Sequence, residues 1–395
     1  MSRTGSRLHV LMVLESHYPA QGGGGAESQV RTLARGLRQQ GHRVTVLTPL
    51  HRLGPQTRVS RVDGVPVCRL RFPRMRLLGA PVLWLRLLAF LWRRRRRYDA
   101  WHAHIAHHLA AICCLLGRRL GIPVLVKVAG NWEFRHALAD RRDLVSKLAF
   151  FGLSRAYRWQ AISQRIAGEL ASHGVPRERV LVVPNAVDAQ RWASVEPSPS
   201  QATRLLFLGR LNKVKGLDLL LEAFAKVLPD FPDSRLRLVG TGGQEQALRA
   251  QVKRLGLEGH VQFEGHRSDL HAVLADADIA VLPSHLEGLS NTLLECMASG
   301  LPMLVTRISG SEDLVRHGHN GWMCEPGDLD GLTHCLREAL ACPVPRRREM
   351  GQRARQTVLD YASLPRVVER LVAAYRGHPQ AAVTASGALR ATGEG

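Results

Sequence analysis

Residues 279–305 read IAVLPSHLEGLSNTLLECMASGLPMLV, and this stretch decides the fold class. The apolar run at 279–284 predicts a buried strand, and a helix-length segment follows it. Gly300 and Pro302 end that segment, and a second apolar run begins at Met303. Strand, helix and strand in this order predict a βαβ unit with two parallel strands.

The same alternation extends through the rest of the chain. Other apolar runs have the length and composition of buried strands: LHVLMVL (8–14), RVTVLT (43–48), IPVLVKVAG (122–130), RVLVVPN (179–185), RLLFLG (204–209), RLRLVG (235–240) and VQFEG (261–265). Continuous apolar runs separated by helices indicate parallel sheets that are covered on both faces. We therefore predict an α/β fold with doubly wound, Rossmann-like domains.

The length of 395 residues favours two domains, and a polar segment between the two series of strands marks a boundary. The stretch ASVEPSPSQATR (193–204) is rich in Pro and Ser, so we predict a linker at 194–203. This gives an N-terminal domain at 1–193 and a C-terminal domain from 204. The stretch 377–395 has the composition of a disordered tail.

Composition limits the partners and the compartment. The formal charge is +22, mostly from arginine, which favours phosphates, anionic lipid or nucleic acid, although compositional bias of the genome would also explain it. With five Tyr and nine Phe and no alternation of basic and aromatic residues, nucleic-acid binding is not expected. Seven scattered cysteines without a CxxC argue against disulfides and zinc, and no signal peptide is evident. We expect a cytoplasmic protein.

Two glycine-containing turns follow predicted strands in the C-terminal domain. In GRLNKVKG (209–216), Arg210 and Lys215 could converge on a diphosphate while Gly209 lets the backbone approach it closely. A solvated basic turn is the alternative. In VGTGGQEQ (239–246), Gly240 opens a loop that matches neither a Walker motif nor a full dinucleotide fingerprint, so a simple tight turn is the alternative.

The turn before the helix of the βαβ unit carries two acids, Glu287 and Glu295. Ser290 is a plausible N-cap, and the N–H groups of the first helical turn would then form an anion site for a phosphate. A carboxylate on each side of that phosphate would suit a sugar, which is dense in hydroxyl donors. For either acid alone, an ordinary surface position is the alternative.

The N-terminal domain offers weaker candidates. Four glycines, at 22–25, predict a loop whose N–H groups could contact a ligand, or a turn that is flexible for domain closure. In YDAWHAHIAHH (98–108), His102 and His104 would share one face of a strand and could mimic a metal pair, or simply line a cleft. On the second interpretation, His104 would help to orient an acceptor.

The segment APVLWLRLLAFLWRRRRRYD (80–99) predicts an amphipathic helix that ends in five arginines. It is too short, and too interrupted by Arg86, to span a membrane. It either covers the N-terminal sheet or lies on an anionic membrane surface, and the second interpretation is favoured. The contact residues would be Trp84, Trp92, Arg93, Arg94, Arg95, Arg96 and Arg97.

The order of the motifs resembles glycosyltransferase family 4, whose members are retaining enzymes of the two-domain GT-B fold. The resemblance rests on GGGGAE, GHRVTVLT, AISQRI, VPNAVD, GRLNKVKG, LVGTGG, VLPSHLEGLSNTLLECMASGLPMLV and NGWMCEPGD, in this order. It covers roughly residues 8–376. It implies a nucleotide-sugar-binding domain at 204–361 and a helix at 362–376 that crosses back to the N-terminal domain.

The resemblance also implies roles for individual residues. Arg210 and Lys215 would bind the donor diphosphate, Glu287 would contact the donor sugar and Glu295 the ribose. Other donor-binding positions would be Gly22, Gly23, Gly24, Gly25, Gly209, Gly240, Arg267, Gly288, Leu289 and Ser290. The substrate would be a UDP- or GDP-sugar. The membrane location favoured for residues 80–99 would suit a lipid-linked or envelope glycan as the acceptor, near the cytosolic face.

Some positions depart from the family pattern. Ala186 replaces a usual Gly, and Gly130 and Asn131 stand where many relatives carry a His that touches the transferred sugar. These two residues and His104 form the predicted acceptor side. Asp276 and Asp278 form a DxD string that binds a metal in other glycosyltransferases. Because Arg, Lys and a helix N-terminus can neutralise the leaving diphosphate, we expect no metal cofactor.

Two other functions are consistent with parts of this pattern. A catalytically inactive relative could bind a glycan or a partner at the membrane, but Arg210, Lys215, Glu287 and Glu295 are all present together. A sugar phosphorylase of similar fold would need a lysine for pyridoxal phosphate, and no such lysine is evident.

Overall fold

The computed structural model describes residues 7–19, 24–50, 58–73, 75, 78–130, 144–192 and 203–377. The described residues form two compact units. The first combines the chain up to Ala186 with the segment that begins at Leu364, and the second comprises Val187–Ser363. Each unit contains one sheet with helices.

The first unit is built on an eight-stranded sheet of order β3-β4-β2-β1-β5-β6-β7-β8. Its strands are β1 (His9–Val13), β2 (Arg43–Pro49), β3 (Val59–Val62), β4 (Val65–Leu70), β5 (Ala100–Ala103), β6 (Val124–Val128), β7 (Arg158–Ala161) and β8 (Val180–Val182). All neighbours are parallel apart from the antiparallel pair β3 and β4. The central strands are buried on both faces, as expected for a parallel sheet between helices.

The helices of this unit pack on both faces of the sheet. They are α1 (Gly25–Gln39), α2 (Gly79–Arg94), α3 (His108–Leu120), α4 (Leu144–Leu153), α5 (Gln164–Ser172) and α13 (Leu364–Tyr375). Helix α13 buries Leu364, Val367, Val368 and Leu371, the i, i+3, i+4, i+7 stripe of an amphipathic helix. It packs closely on α1, because a Cβ at Gly36 would lie 2.6 Å from Leu364 Cδ1.

The second unit has a six-stranded, fully parallel sheet of order β11-β10-β9-β12-β13-β14. Its strands are β9 (Arg204–Leu208), β10 (Arg235–Val239), β11 (Val261–Gly265), β12 (Ile279–Leu282), β13 (Met303–Thr306) and β14 (Gly321–Cys324). Its helices are α6 (Leu217–Val227), α7 (Glu245–Arg254), α8 (Leu270–Ala275), α9 (Asn291–Ala298), α10 (Ser311–Leu314), α11 (Leu329–Ala341) and α12 (Val344–Tyr361). The predicted βαβ unit is present as β12, α9 and β13.

The predicted fold class is confirmed. Both units are doubly wound α/β structures, and the C-terminal helix α13 belongs to the first unit. The boundary between the two compact units falls between Ala186 and Val187. The predicted limits at 193 and 204 stay a prediction, because almost all of the linker lies outside the described residues, as does the tail from 378.

Candidate functional site

The candidate site of the second unit lies at the carboxyl edge of its sheet, where the turns after β9 and β10 interlock. Gly209 N donates to Val239 O at 2.9 Å, and Leu211 N donates to Thr241 O at 3.0 Å. Gly240 has φ +136°, and a Cβ there would collide with the carbonyl oxygen of Gly209. Both predicted glycine turns therefore meet at one place, where their backbones touch without side chains between them.

The centre of this edge is an ion pair between Lys215 and Glu287. Lys215 ends a short 3-10 turn after β9, and Glu287 lies in the turn after β12. Lys215 Nζ donates to Glu287 Oε1, which also accepts a 2.7 Å hydrogen bond from Ser284 Oγ. Each charged side chain is 15% exposed. Residues that are 72 positions apart in the chain thus form one half-buried, charged cluster.

Arg210 and Arg267 lie at the same edge but outside this ion pair. Arg210 follows β9 directly, is exposed, and forms no ion pair with any described residue. Arg267 follows β11, and its Nη1 donates to Glu264 Oε2 at 3.1 Å. Arg210 is therefore available to an anionic ligand, whereas Arg267 already has an acidic partner.

The N-terminus of α9 lies beside Glu287. Ser290 is its N-cap residue, as predicted, but its side chain accepts no hydrogen bond from the first helical turn. Such an N-terminus presents backbone N–H groups and a partial positive charge. Glu287 and Ser290 line the same small cavity of about 10 Å³ between β12 and β13.

Gly288 and Leu289 are held by a turn that the sequence analysis missed. Gly310, with φ +80°, lies so close that a Cβ there would be 2.8 Å from both Gly288 O and Leu289 Cα. Ser311 Oγ fixes this turn by donating to Thr306 O at 2.6 Å. The signal was available, because the dipeptide Ser309-Gly310 follows the end of β13 after two intervening residues and is typical of a turn.

Glu295 lies within α9, and the pKa of its carboxyl is unusually high. Burial raises the pKa of its carboxyl to about 7, although the positive charge of Arg191 acts in the opposite direction. Near neutral pH this carboxyl therefore exchanges between its acid form, which can donate a hydrogen bond, and its carboxylate form.

The candidate residues of the first unit lie at the carboxyl edge of its own sheet. Gly24 is the N-cap of α1 and Gly25 is its first residue, whereas Gly22, Gly23 and Asn131 lie outside the described residues. Gly130 follows β6 and is half-buried. These positions agree with loops at strand ends, and their role in binding stays a prediction.

His104 is fully buried, with 1% exposure, and stacks on His102 at a centroid distance of 4.1 Å. Neither ring nitrogen of His104 has a hydrogen-bond partner among the described residues. Burial lowers the pKa of both rings, that of His102 to about 3. Both nitrogens of His102 are engaged, with Tyr375 Oη at 2.7 Å and Gln160 Oε1 at 3.0 Å. This arrangement does not support a histidine metal pair, and the acceptor role of His104 stays a prediction.

The DxD string lies at the opposite, amino edge of the second sheet. Asp278 Oδ2 accepts hydrogen bonds from Arg204 N at 2.8 Å and Arg204 Nε at 3.1 Å. Asp276 pairs with Arg204 and with Arg237 Nη1, the latter at 3.1 Å. The two carboxylates thus neutralise Arg204, the first residue of β9, and Arg237 of β10, which is a structural role.

Helix α2 packs on the first unit with one side and exposes apolar side chains on the other, and its contact with a membrane stays a prediction. It buries Leu87 and Leu91 and leaves Leu85, Leu88 and Trp92 exposed at 65%, 37% and 49%. Trp84 is half-buried and contacts the ring of His108 at 5.4 Å. The basic run at the end of the helix comprises Arg93, Arg94, Arg95, Arg96 and Arg97. The helix covers the sheet and also presents an apolar, basic face. Within the described residues, every helix is too short or too polar to cross a bilayer.

Two family models match the chain. The model "Glycosyl transferases group 1" matches residues 188–357, which include the Lys215 and Glu287 site, and "Glycosyltransferase Family 4" matches residues 23–191. Together they cover both compact units.

Proteins with similar sequences include a putative glycosyltransferase, and a solved structure has the same fold. The chain is 30% identical over 300 residues to the putative glycosyltransferase EpsD of Bacillus subtilis, covering 71% of this chain and 77% of EpsD. It is 27% identical over 292 residues to N-acetyl-alpha-D-glucosaminyl L-malate synthase of Bacillus anthracis, covering 71% and 75%. The crystal structure of Anabaena HepE in complex with UDP-glucose has the same fold, with TM-score 0.72, 20% identity and coverage of 93% and 98%.

Proposed function

This chain belongs to the group 1 glycosyltransferases, and we propose that it transfers a sugar from a UDP- or GDP-linked donor to a hydroxyl of a lipid-linked or envelope glycan, with retention at the anomeric carbon. Its membership makes it a glycosyltransferase, whereas the donor, the acceptor and the stereochemistry belong to the proposal. EpsD and the N-acetyl-alpha-D-glucosaminyl L-malate synthase are relatives, and HepE was crystallised with UDP-glucose, so UDP-sugars are the first donors to test.

The observation that carries the proposal is the Lys215–Glu287 pair next to the N-terminus of α9. A diphosphate needs positive charge and N–H donors, which Lys215, Arg210 and the amides of Gly288, Leu289 and Ser290 would supply. Glu287 would then accept hydrogen bonds from the sugar hydroxyls. The ion pair keeps both side chains in position before the donor arrives, which reduces the ordering required on binding.

Glu295 fits the recognition of a ribose. A carboxylate can accept hydrogen bonds from both ribose hydroxyls, and the raised pKa reflects a site that is poorly hydrated without a ligand. Two hydroxyl donors stabilise the ionised form, so donor binding should lower the pKa of Glu295 and release protons at neutral pH.

The chemical step would rely on the leaving diphosphate. Arg210 and Lys215 would stabilise the negative charge that develops on it as the glycosidic bond breaks. The departing phosphate would accept the proton of the acceptor hydroxyl, so that attack occurs on the face that the leaving group vacates. Detection of a covalent glycosyl-enzyme by mass spectrometry would contradict this route.

We propose that no metal ion takes part. The two cationic side chains and the α9 N-terminus are suited to the role that a divalent cation has in other glycosyltransferases, and both acids of the DxD string are paired with arginines. Equal transfer rates with and without chelator are expected, and a chelator-sensitive rate that Mg²⁺ or Mn²⁺ restores would overturn this part.

The exposed face of α2 would hold the enzyme at an anionic membrane. Trp92, Leu85 and Leu88 would enter the interface, while Arg93–Arg97 contact lipid phosphates. A lipid-linked acceptor would then be within reach on the same surface.

The test is thermal protection by donors. Unfolding of the wild type, of Glu295→Ala and of the matched surface variant Glu258→Ala would be followed with UDP-, GDP-, ADP- and dTDP-sugars in the presence of chelator. We expect one nucleotide class to raise the Tm of the wild type and of Glu258→Ala but not of Glu295→Ala. Equal protection of all three proteins would remove Glu295 from the site.

A further inference from the structure

We infer that a second anion site exists in the first unit, at the amino edge of its sheet, and that it binds phosphate groups. A groove of about 900 Å³ opens there, where β1, β5, β6, β7 and β8 begin. Gly24, His104 and Gly130 lie at the other edge of this sheet. The groove is therefore distinct from the donor site, and its inference does not depend on the proposed sugar transfer.

Charge is the first argument. The groove is lined by five arginines and by two carboxylates, Asp99 and Glu178. The arginines come from several elements: Arg118 from α3, Arg155 from the connection between α4 and β7, Arg158 from the start of β7, Arg179 from the residue before β8, and Arg376 from the residue after α13. Five arginines from positions between 118 and 376 thus line one concavity.

The second argument is that three of these arginines have no acidic partner among the described residues. Arg118, Arg158 and Arg179 form no ion pair with any described residue. Arg155 Nη1, in contrast, donates to Phe151 O at 2.6 Å, and Asp99 Oδ2 accepts a 2.7 Å hydrogen bond from His9 N. Three of the five guanidinium groups are thus available to an external acceptor, and their planar forks suit phosphate oxygens.

The negative ends of nearby helices neutralise only part of the positive charge of the arginines. Helices α3, α4 and α13 end next to the groove, and each helix end carries about half a negative charge. Three helix ends together give about 1.5 negative charges. The arginines outnumber the carboxylates by three, so positive charge remains after the helix ends are neutralised.

The surroundings indicate the source of the phosphate. The basic run Arg93–Arg97 precedes β5 and so lies at this same edge. Leu115 of α3, Phe151 of α4 and Tyr157 are exposed at 40%, 51% and 43%. Apolar side chains beside an arginine-lined groove suit the headgroup of an anionic phospholipid, while a soluble phosphate compound shares the same recognition chemistry.

The experiment compares Arg118→Gln/Arg158→Gln/Arg179→Gln with a control of equal charge change, Arg254→Gln/Arg307→Gln/Arg348→Gln, in exposed positions of the second unit. Each full-length protein is sedimented with vesicles of phosphatidylcholine alone and with vesicles that also contain the anionic lipid phosphatidylglycerol. Tm is measured with glycerol 3-phosphate against NaCl of equal ionic strength. Circular dichroism checks that each variant is folded.

We expect the groove variant to bind anionic vesicles about 100-fold more weakly than the wild type, since each arginine near a membrane adds about 1 kcal/mol. The control should change far less. Loss of glycerol 3-phosphate protection with unchanged vesicle binding would identify a soluble phosphate as the ligand. If glycerol 3-phosphate also bound at the candidate site of the second unit, that part of the Tm shift would persist in the groove variant. The comparison of the two proteins therefore separates the two sites.

Equal weakening of vesicle binding by the groove and control variants would overturn the inference, and so would a groove variant in which both vesicle binding and glycerol 3-phosphate protection are unchanged. Either result would leave the arginines as neutralisers of the helix ends. The variant Arg118→Lys/Arg158→Lys/Arg179→Lys keeps charge and fold. It should keep most vesicle binding but lose phosphate protection, because lysine lacks the bidentate fork. A Trp92→Ser/Leu88→Ser variant, which tests the α2 contact, should lower vesicle binding while glycerol 3-phosphate protection stays.

Discussion

The second unit contains two clusters of ion-paired side chains, which lie at opposite edges of its sheet. Arg204 with Asp276 and Asp278 lies at the amino edge of the sheet, and Lys215 with Glu287 lies at the carboxyl edge. In doubly wound sheets, ligands bind at the carboxyl ends of the strands. The first cluster should therefore contribute mainly to stability and the second mainly to catalysis.

The largest effect is expected for Lys215→Ala. Removal of a preorganised cation from the leaving diphosphate should lower the transfer rate about 1000-fold. The Tm should fall as well, because Glu287 loses its cationic partner at a site where each side chain is 15% exposed and keeps only its hydrogen bond from Ser284, so the rate is compared per folded protein. Lys213→Ala, in the same 3-10 turn but exposed, is the matched control and should retain activity. Equal losses in both variants would show that charge in this turn acts nonspecifically.

Asp278→Asn should have the opposite profile. It weakens a partly buried pair with Arg204, whose side chain is only 10% exposed, so a loss of about 2–3 kcal/mol in the free energy of unfolding is expected. Urea denaturation measures it, and the specific activity of the folded fraction should match the wild type. A large fall in that activity with unchanged stability would reverse the assignment of the two clusters.

Glu295→Gln should change the pH dependence of stability. Because the folded pKa is about 7 and the ordinary value is 4.5, the native state binds more protons in this range and stability falls as pH rises from 4.5 to 7. Glutamine cannot ionise, so the variant should be more stable than the wild type by up to about 3 kcal/mol above pH 7. This gain should vanish below pH 4.5. Urea unfolding of both proteins at pH 5 and pH 8 measures it. A gain that is equal at both pH values would show that ionisation is not its cause.

The smallest effect is expected for Lys226→Met, which removes an exposed ion pair. Lys226 and Asp330 are 49% and 92% exposed and lie 3.1 Å apart, so the free energy of unfolding should change by less than about 0.5 kcal/mol. A change above 1 kcal/mol in urea denaturation would show that exposed pairs in this unit are stronger than their solvation suggests.

The sequence by itself determined the fold class and the positions of the glycine turns. Continuous apolar runs between helices dictate buried parallel strands, and GRLNKVKG, VGTGG and EGLSN each follow such a strand. Local pattern suffices here because parallel strands bring all their following turns to one edge. The N-cap at Ser290 could also be predicted from local sequence, because Ser is a preferred N-cap residue and a helix-length segment follows it.

Only the tertiary structure decided which charges meet. The Lys215–Glu287 pair joins residues 72 positions apart, and the DxD string acquires its structural role from Arg204, which lies in another strand. The acidity of Glu295 depends on burial, and the arginine-lined groove gathers residues from positions 118 to 376. Electrostatic interactions depend on distance and burial in three dimensions, and spacing along the chain encodes neither.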